Sequence, residues 1–166
     1  MFATERIAQA EQLLAALRAR SLKLATAESC TGGLIAAFFT EIPGASDVFE
    51  RGFVTYSNAA KIGDLGVEYD LLARHGAVSA EVAAAMASGA LRGSAADVAV
   101  AVTGVAGPSG GTPTKPVGLV EFACAIRGKD TTLATERMGD LGREQIRIRS
   151  VASALSLFER ALGGFS

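Results

Sequence analysis

The stretch that most constrains this chain is Val98-Ala99-Val100-Ala101-Val102, with Asp97 before it and Thr103, then a run of glycines and prolines, after it. Such a short apolar run between turn formers reads as a strand. It has no polar alternate positions, so neither of its faces tolerates water. A chain carrying that strand must cover it on both sides, which points to an α/β sheet sandwiched between helices.

The flanking sequence supplies the covering elements. Residues 3–20 place Ile7, Leu13, Leu14 and Leu17 at helical spacing, predicting an amphipathic helix. Residues 22–27 alternate like a strand, and 49–56 read as a second strand. Thr31-Gly32-Gly33 opens a helix over 34–40, stopped by Pro43-Gly44. A short helix is expected over 58–63, and an Ala-rich one over 78–92 with Ser79 as N-cap. Residues 117–126 and 131–136, joined by Arg127-Gly128-Lys129-Asp130, read as an antiparallel hairpin, so the sheet of about five strands is mixed. A final helix is expected over 143–162. No repeat, linker or shift of composition divides residues 1–166, which read as one domain.

Several partner classes are disfavoured by composition. Lys and Arg number 16 against 17 Asp and Glu, a net charge of -1, and there is no Trp and only two Tyr. That leaves neither a basic face nor stacking platforms for nucleic acid. With two Cys and one His, a structural zinc site or a disulfide framework lacks its ligands, and no metal is expected. The N-terminus has no basic segment leading into an apolar run. No apolar stretch approaches the roughly 20 residues of a membrane helix. The expectation is a reduced cytoplasmic protein without a membrane partner.

In open α/β sheets ligands bind beyond the carboxyl ends of the strands. Three such exits concentrate polar residues and glycines: Glu28-Ser29-Cys30-Thr31-Gly32-Gly33, Tyr56-Ser57-Asn58 with Lys61 one turn on, and Thr103-Gly104-Val105-Ala106-Gly107-Pro108. Ser29 stands at a helix start, whose outward N–H groups suit a phosphate or an oxyanion; equally, Ser29 or Thr31 is a simple N-cap. A serine nucleophile needs a base, and His75 lies in a turn away from the strand exits. Of Lys23, Lys61, Lys115 and Lys129, only Lys61 follows a strand exit closely, which makes a Ser-Lys pair conceivable if the lysine is held neutral. Cys30 is a second nucleophile candidate or a buried core thiol. The Gly104–Gly111 loop lacks both the Gly-Lys-Ser/Thr of a phosphate loop and the helix of a dinucleotide fingerprint. Its glycines, Gly104 and Gly107 among them, permit close backbone approach to a ligand.

Taken together, Thr26-Ala27-Glu28-Ser29-Cys30-Thr31-Gly32-Gly33, Gly52-Phe53-Val54-Thr55-Tyr56-Ser57-Asn58-Ala59-Ala60-Lys61 and Thr103-Gly104-Val105-Ala106-Gly107-Pro108-Ser109-Gly110-Gly111 resemble the CinA C-terminal domain family. Its stand-alone members include nicotinamide mononucleotide amidohydrolase. The resemblance runs from about residue 6 to residue 160. It implies a three-layer α/β/α fold with a mixed, mostly parallel sheet. It also implies metal-free, cofactor-free hydrolysis of a small-molecule nucleotide, nicotinamide mononucleotide, in pyridine-nucleotide salvage. By residue, it implies Ser29 as nucleophile, Lys61 as base, and N–H groups around Cys30, Thr31, Gly32 and Gly33 for the oxyanion. Tyr56, Asn58 and Thr103 match further family positions. Arg143 matches the arginine that opens the last helix, acting on the lysine's pKa or on the substrate phosphate. Where many relatives have Gly-Asp-Arg, this chain has Asp140-Leu141-Gly142-Arg143. A homodimer is the expected assembly, and a catalytically silent nucleotide-binding domain is the alternative reading.

Overall fold

The computed structural model describes residues 4–164; residue 3 of the predicted first helix lies outside them. Five strands form one sheet: β1 (Leu24–Glu28), β2 (Phe49–Val54), β3 (Val98–Gly104), β4 (Leu119–Ile126) and β5 (Thr132–Arg137), in the order β2-β1-β3-β4-β5. β1 pairs parallel with β2 and with β3, and β4 pairs antiparallel with both β3 and β5. Only β4 therefore runs against the rest, and the valine-alanine run occupies the central strand.

That run has two different faces. Val98, Val100 and Val102 join the cluster made by α1 (Thr4–Ala19), α2 (Leu34–Thr40) and α6 (Arg143–Ala161). Ala99 and Ala101 join the other cluster, built mainly on α5 (Ala80–Arg92). Ala25 and Ala27 on β1 and Ala123 and Ala125 on β4 carry the alanine face across three adjacent strands. Branched side chains hold the three-helix layer off the sheet, and methyl groups let α5 lie close; side-chain size sets such spacings. The result is the three-layer α/β/α fold.

On the alanine side, α5 packs against α3 (Asn58–Leu65). A Cβ at Gly89 would stand 2.0 Å from the Leu65 carbonyl oxygen, so the two helices meet backbone to backbone. Ser79 caps α5 as predicted, accepting the Val82 N–H at 3.3 Å. The helix α4 (Tyr69–His75) has no counterpart in the sequence reading, which leaves His75 in a turn. It is a two-turn element that buries only Leu72, too little apolar surface to leave a helical period.

The links from β1 to β2 and from β2 to β3 lie on opposite faces: α2 belongs to the valine-side cluster, α5 to the alanine side. Beyond the carboxyl ends of β1, β2 and β3 this leaves the crevice in which such sheets hold ligands.

Candidate active site

Glu28 pairs with Val54 of β2 and with Val102 of β3, so the three polar strand exits come together. One more rung extends each pairing: the Ser29 N–H donates to the Val102 carbonyl at 3.0 Å, and the Thr55 N–H to the Glu28 carbonyl at 2.8 Å. After Ser29 the chain turns, and Gly33, at φ 92°, is the N-cap of α2 with no side-chain cap bond. Neither Ser29 nor Thr31 caps this helix, which corrects that reading. The buried Glu28 carboxylate does so instead. Its Oε2 accepts the N–H groups of Gly33 and Ile35 at 3.1 and 2.9 Å, and its Oε1 accepts that of Ala36 at 2.8 Å. Ser29 is thus left to make other contacts.

The contact that Ser29 makes is with Lys61. Ser57 caps α3 by accepting the Ala60 N–H at 3.0 Å, and the first turn carries Lys61 inward until it is 1% exposed. Its Nζ lies 2.9 Å from Ser29 Oγ and 2.8 Å from the Thr55 carbonyl oxygen. Burial lowers the lysine pKa below its ordinary value, with the Cys30 thiol acting in the opposite direction. Arg143 is not among the causes, so a lowering of the lysine by that cation finds no support. Burial pushes the Cys30 thiol up to about 11, which keeps it protonated near neutral pH.

A cavity of about 290 Å³ opens between the three strand exits. Ser29, Cys30 and Lys61 line it with Tyr56 and Asn58 from the second exit. Thr103, Gly104 and Gly107 come from the third, and Arg143 from the start of α6. The Thr103 hydroxyl donates to the Ala77 carbonyl at 2.8 Å, so its proton is not directed at the lysine. Arg143 spans the rim, donating to the Tyr56 hydroxyl at 2.7 Å and to the Gly107 carbonyl at 3.0 Å. Besides the buried Lys61, Arg143 is the charged group among the described lining residues, and no carboxylate faces it there. A cavity with that balance favours an anionic ligand.

Thr31, Gly32 and Gly33 do not line the cavity. Thr31 is fully buried, the Gly32 N–H is taken by the Ser29 carbonyl, and the Gly33 N–H by Glu28. Among the described residues, the N–H groups of Cys30 and Thr31 carry no hydrogen bond to another residue. Of these two, only Cys30 lines the cavity, so its N–H is the donor that this turn retains for a ligand.

Two contributors escape the sequence reading. Glu28 looks there like the polar end of a strand. Arg147, one turn after Arg143, donates from Nη2 to the Thr31 carbonyl at 2.9 Å. The four-residue spacing of the arginines was available as a signal that both sit on one face of α6, but what that face meets is tertiary. His75 faces Glu81 at 3.4 Å, and its carbonyl accepts from Lys115 Nζ; none of the three lines the cavity. Among the described residues no group of three or more His, Cys, Asp or Glu could hold a metal ion, and no helix is long and apolar enough to cross a membrane.

Comparison with known proteins gives one family. The CinA C-terminal domain profile matches residues 6–162. A CinA-like protein of Mycolicibacterium vanbaalenii is 51% identical over 165 residues, covering 99% of this chain and 38% of that protein. A CinA-like protein of Akkermansia muciniphila is 55% identical over 148 residues, covering 89% of this chain and 34% of that protein. The chain thus spans less than two fifths of the length of these curated relatives. Among solved structures, the competence/damage inducible protein CihA of Agrobacterium tumefaciens superposes with a TM-score of 0.94 at 47% identity, covering 98% of both chains. A CinA superfamily protein of Escherichia coli gives 0.86 at 34% identity, covering 97% of this chain and 94% of that one.

Proposed function

The chain belongs to the CinA C-terminal domain family, and on that premise we propose that it hydrolyses the carboxamide of nicotinamide mononucleotide to nicotinate mononucleotide and ammonia. The observation that carries the proposal is the buried contact of 2.9 Å between Lys61 Nζ and Ser29 Oγ. Amide hydrolysis needs a nucleophile, a base that later protonates the leaving amine, and donors for the oxyanion. This cavity offers each.

Ser29 Oγ attacks the carboxamide carbon while neutral Lys61 takes the hydroxyl proton. The N–H group of Cys30, which lines the cavity, receives the developing oxyanion. Lys61 then returns its proton to the nitrogen, ammonia leaves, and an ester to Ser29 remains. A water molecule attacks that ester, again giving its proton to Lys61. The carboxylic acid departs, and Ser29 recovers its hydroxyl proton from the lysine. Arg143 at the rim serves the phosphate, since guanidinium groups pair well with phosphate oxygens.

The test is ammonia release from nicotinamide mononucleotide by the purified chain, with two neighbouring variants. Ser29→Ala should lose about 10³-fold or more in kcat, the scale seen when a serine nucleophile is removed. Cys30→Ala should stay near wild type, because a thiol raised to about 11 is not the attacking species. Full activity in Ser29→Ala would refute the mechanism. No ammonia from the wild-type chain would leave a nucleotide-binding domain without catalysis.

A further inference from the structure

Glu28 precedes Ser29 in the chain and is linked to Lys61 through Thr55, without lining the cavity. Its carbonyl accepts the Thr55 N–H, and the Thr55 carbonyl in turn holds Lys61 Nζ. Its carboxylate, completely buried, accepts three N–H groups from the start of α2, which fixes the turn that carries Ser29. Residue 28 is therefore the point from which nucleophile and base are both hung.

A carboxylate suits that position better than any neutral side chain. It is acceptor-only, with four lone-pair sites for three donors, and its charge complements the positive end of a helix. It takes the Gly33, Ile35 and Ala36 N–H groups and makes no bond to that of Cys30, which lines the cavity. Glutamine has the same shape but turns an NH₂ group toward an N–H donor, so at least one of the three bonds is lost.

From this geometry we infer that Glu28 is a positioning residue for the Ser29–Lys61 pair. The inference rests on the proposed serine amidohydrolase, and its consequence is kinetic: misplacing reacting groups by about 1 Å costs on the order of 10²-fold.

The experiment measures two rates on the full chain: ammonia release from nicotinamide mononucleotide, and labelling of Ser29 by a fluorophosphonate. In labelling, Ser29 Oγ displaces fluoride from phosphorus and Lys61 takes the hydroxyl proton. Glu28→Gln should slow both kcat and labelling by about 10- to 100-fold. KM should stay within about twofold, because the cavity lining is unchanged. The pH midpoint of labelling should also stay in place, since the burial of Lys61 is untouched. A merely structural role predicts the reverse, a lower Tm with wild-type rates per folded molecule, and that result overturns the inference. If the glutamine variant does not fold, Glu28→Asp keeps the charge but is one methylene too short for all three donors. It should slow labelling in the same sense, and a wild-type rate overturns the inference. A wild-type chain that is labelled at Ser29 but releases no ammonia refutes the substrate while the labelling rates still decide the role of Glu28. A wild-type chain that is not labelled refutes both.

Discussion

Lys61 is almost wholly buried, and its two polar neighbours define what it can do. A neutral amine has two N–H groups and one lone pair. The ammonium form donates to both the Thr55 carbonyl and Ser29 Oγ; in the neutral form one N–H stays on the Thr55 carbonyl and the lone pair is free to accept the Ser29 proton. Protonation would fill that lone pair, so activity belongs to the deprotonated form. With the lysine lowered from its ordinary 10.5 by burial, kcat/KM should rise with pH through the depressed value and level off above it. The stability effect has the same sign. Between the depressed folded value and the ordinary unfolded one, the unfolded chain binds more protons, so unfolding free energy rises with pH across that window. Both are checked by a pH–rate profile and by denaturant titrations along the same pH series. Lys61→Arg keeps the charge but cannot lose its proton. Its turnover should fall about 10²- to 10⁴-fold, level with Lys61→Ala, as expected when a general base is lost. Wild-type turnover in the arginine variant would make Lys61 a structural contact only.

Among the elements, α3 is the one on which the base depends, and its position is set by α5. Gly89 lets the α5 backbone touch that of α3 at Leu65, one turn beyond Lys61. An added Cβ would stand 2.0 Å from the Leu65 carbonyl oxygen, and backbone must move to admit it. Gly89→Ala is a helix-favouring change by intrinsic propensity, by about 1 kcal/mol. Overpacking costs typically 1–3 kcal/mol, so the expected result is a net loss of up to about 2 kcal/mol. Because α3 is displaced as a unit, kcat should fall more than Tm suggests; thermal melts and ammonia release on the same preparation check this. An unchanged kcat would show that α3 moves without carrying Lys61 away from Ser29. The same contact shows the limit of local reading. Gly89 sits inside a strongly helical Ala-rich pattern, where a glycine looks like a weakness until the second helix is in view.

For the molecule as a whole, charge and ligand supply make the prediction. The described residues contain no group of three or more His, Cys, Asp or Glu close enough to hold a metal ion, and the proposed chemistry assigns every proton transfer to Lys61. Exhaustive dialysis against a chelator should leave ammonia release unchanged. A loss of turnover restored by one particular divalent ion would refute the Ser-Lys route.

What could be read along the chain is what depends on near neighbours or on a motif. The two-sided burial of Val98–Val102, the Ser79 cap and the hairpin after residue 117 follow from periodicity and turn chemistry. Ser29 and Lys61 were legible as candidates because both lie just beyond strand exits. Four things needed the folded chain: the distance between these two side chains, which are 32 positions apart; the burial that lowers the lysine; the capping of α2 by Glu28 in place of Ser29 or Thr31; and the reach of Arg147 to the Thr31 carbonyl. Each depends on which strand lies beside which and on how closely the helices approach the sheet. Helical and strand periods determine which face a residue occupies, but not what stands opposite that face. Burial and hydrogen-bond partners, which set the chemistry of this site, are properties of the opposing surface.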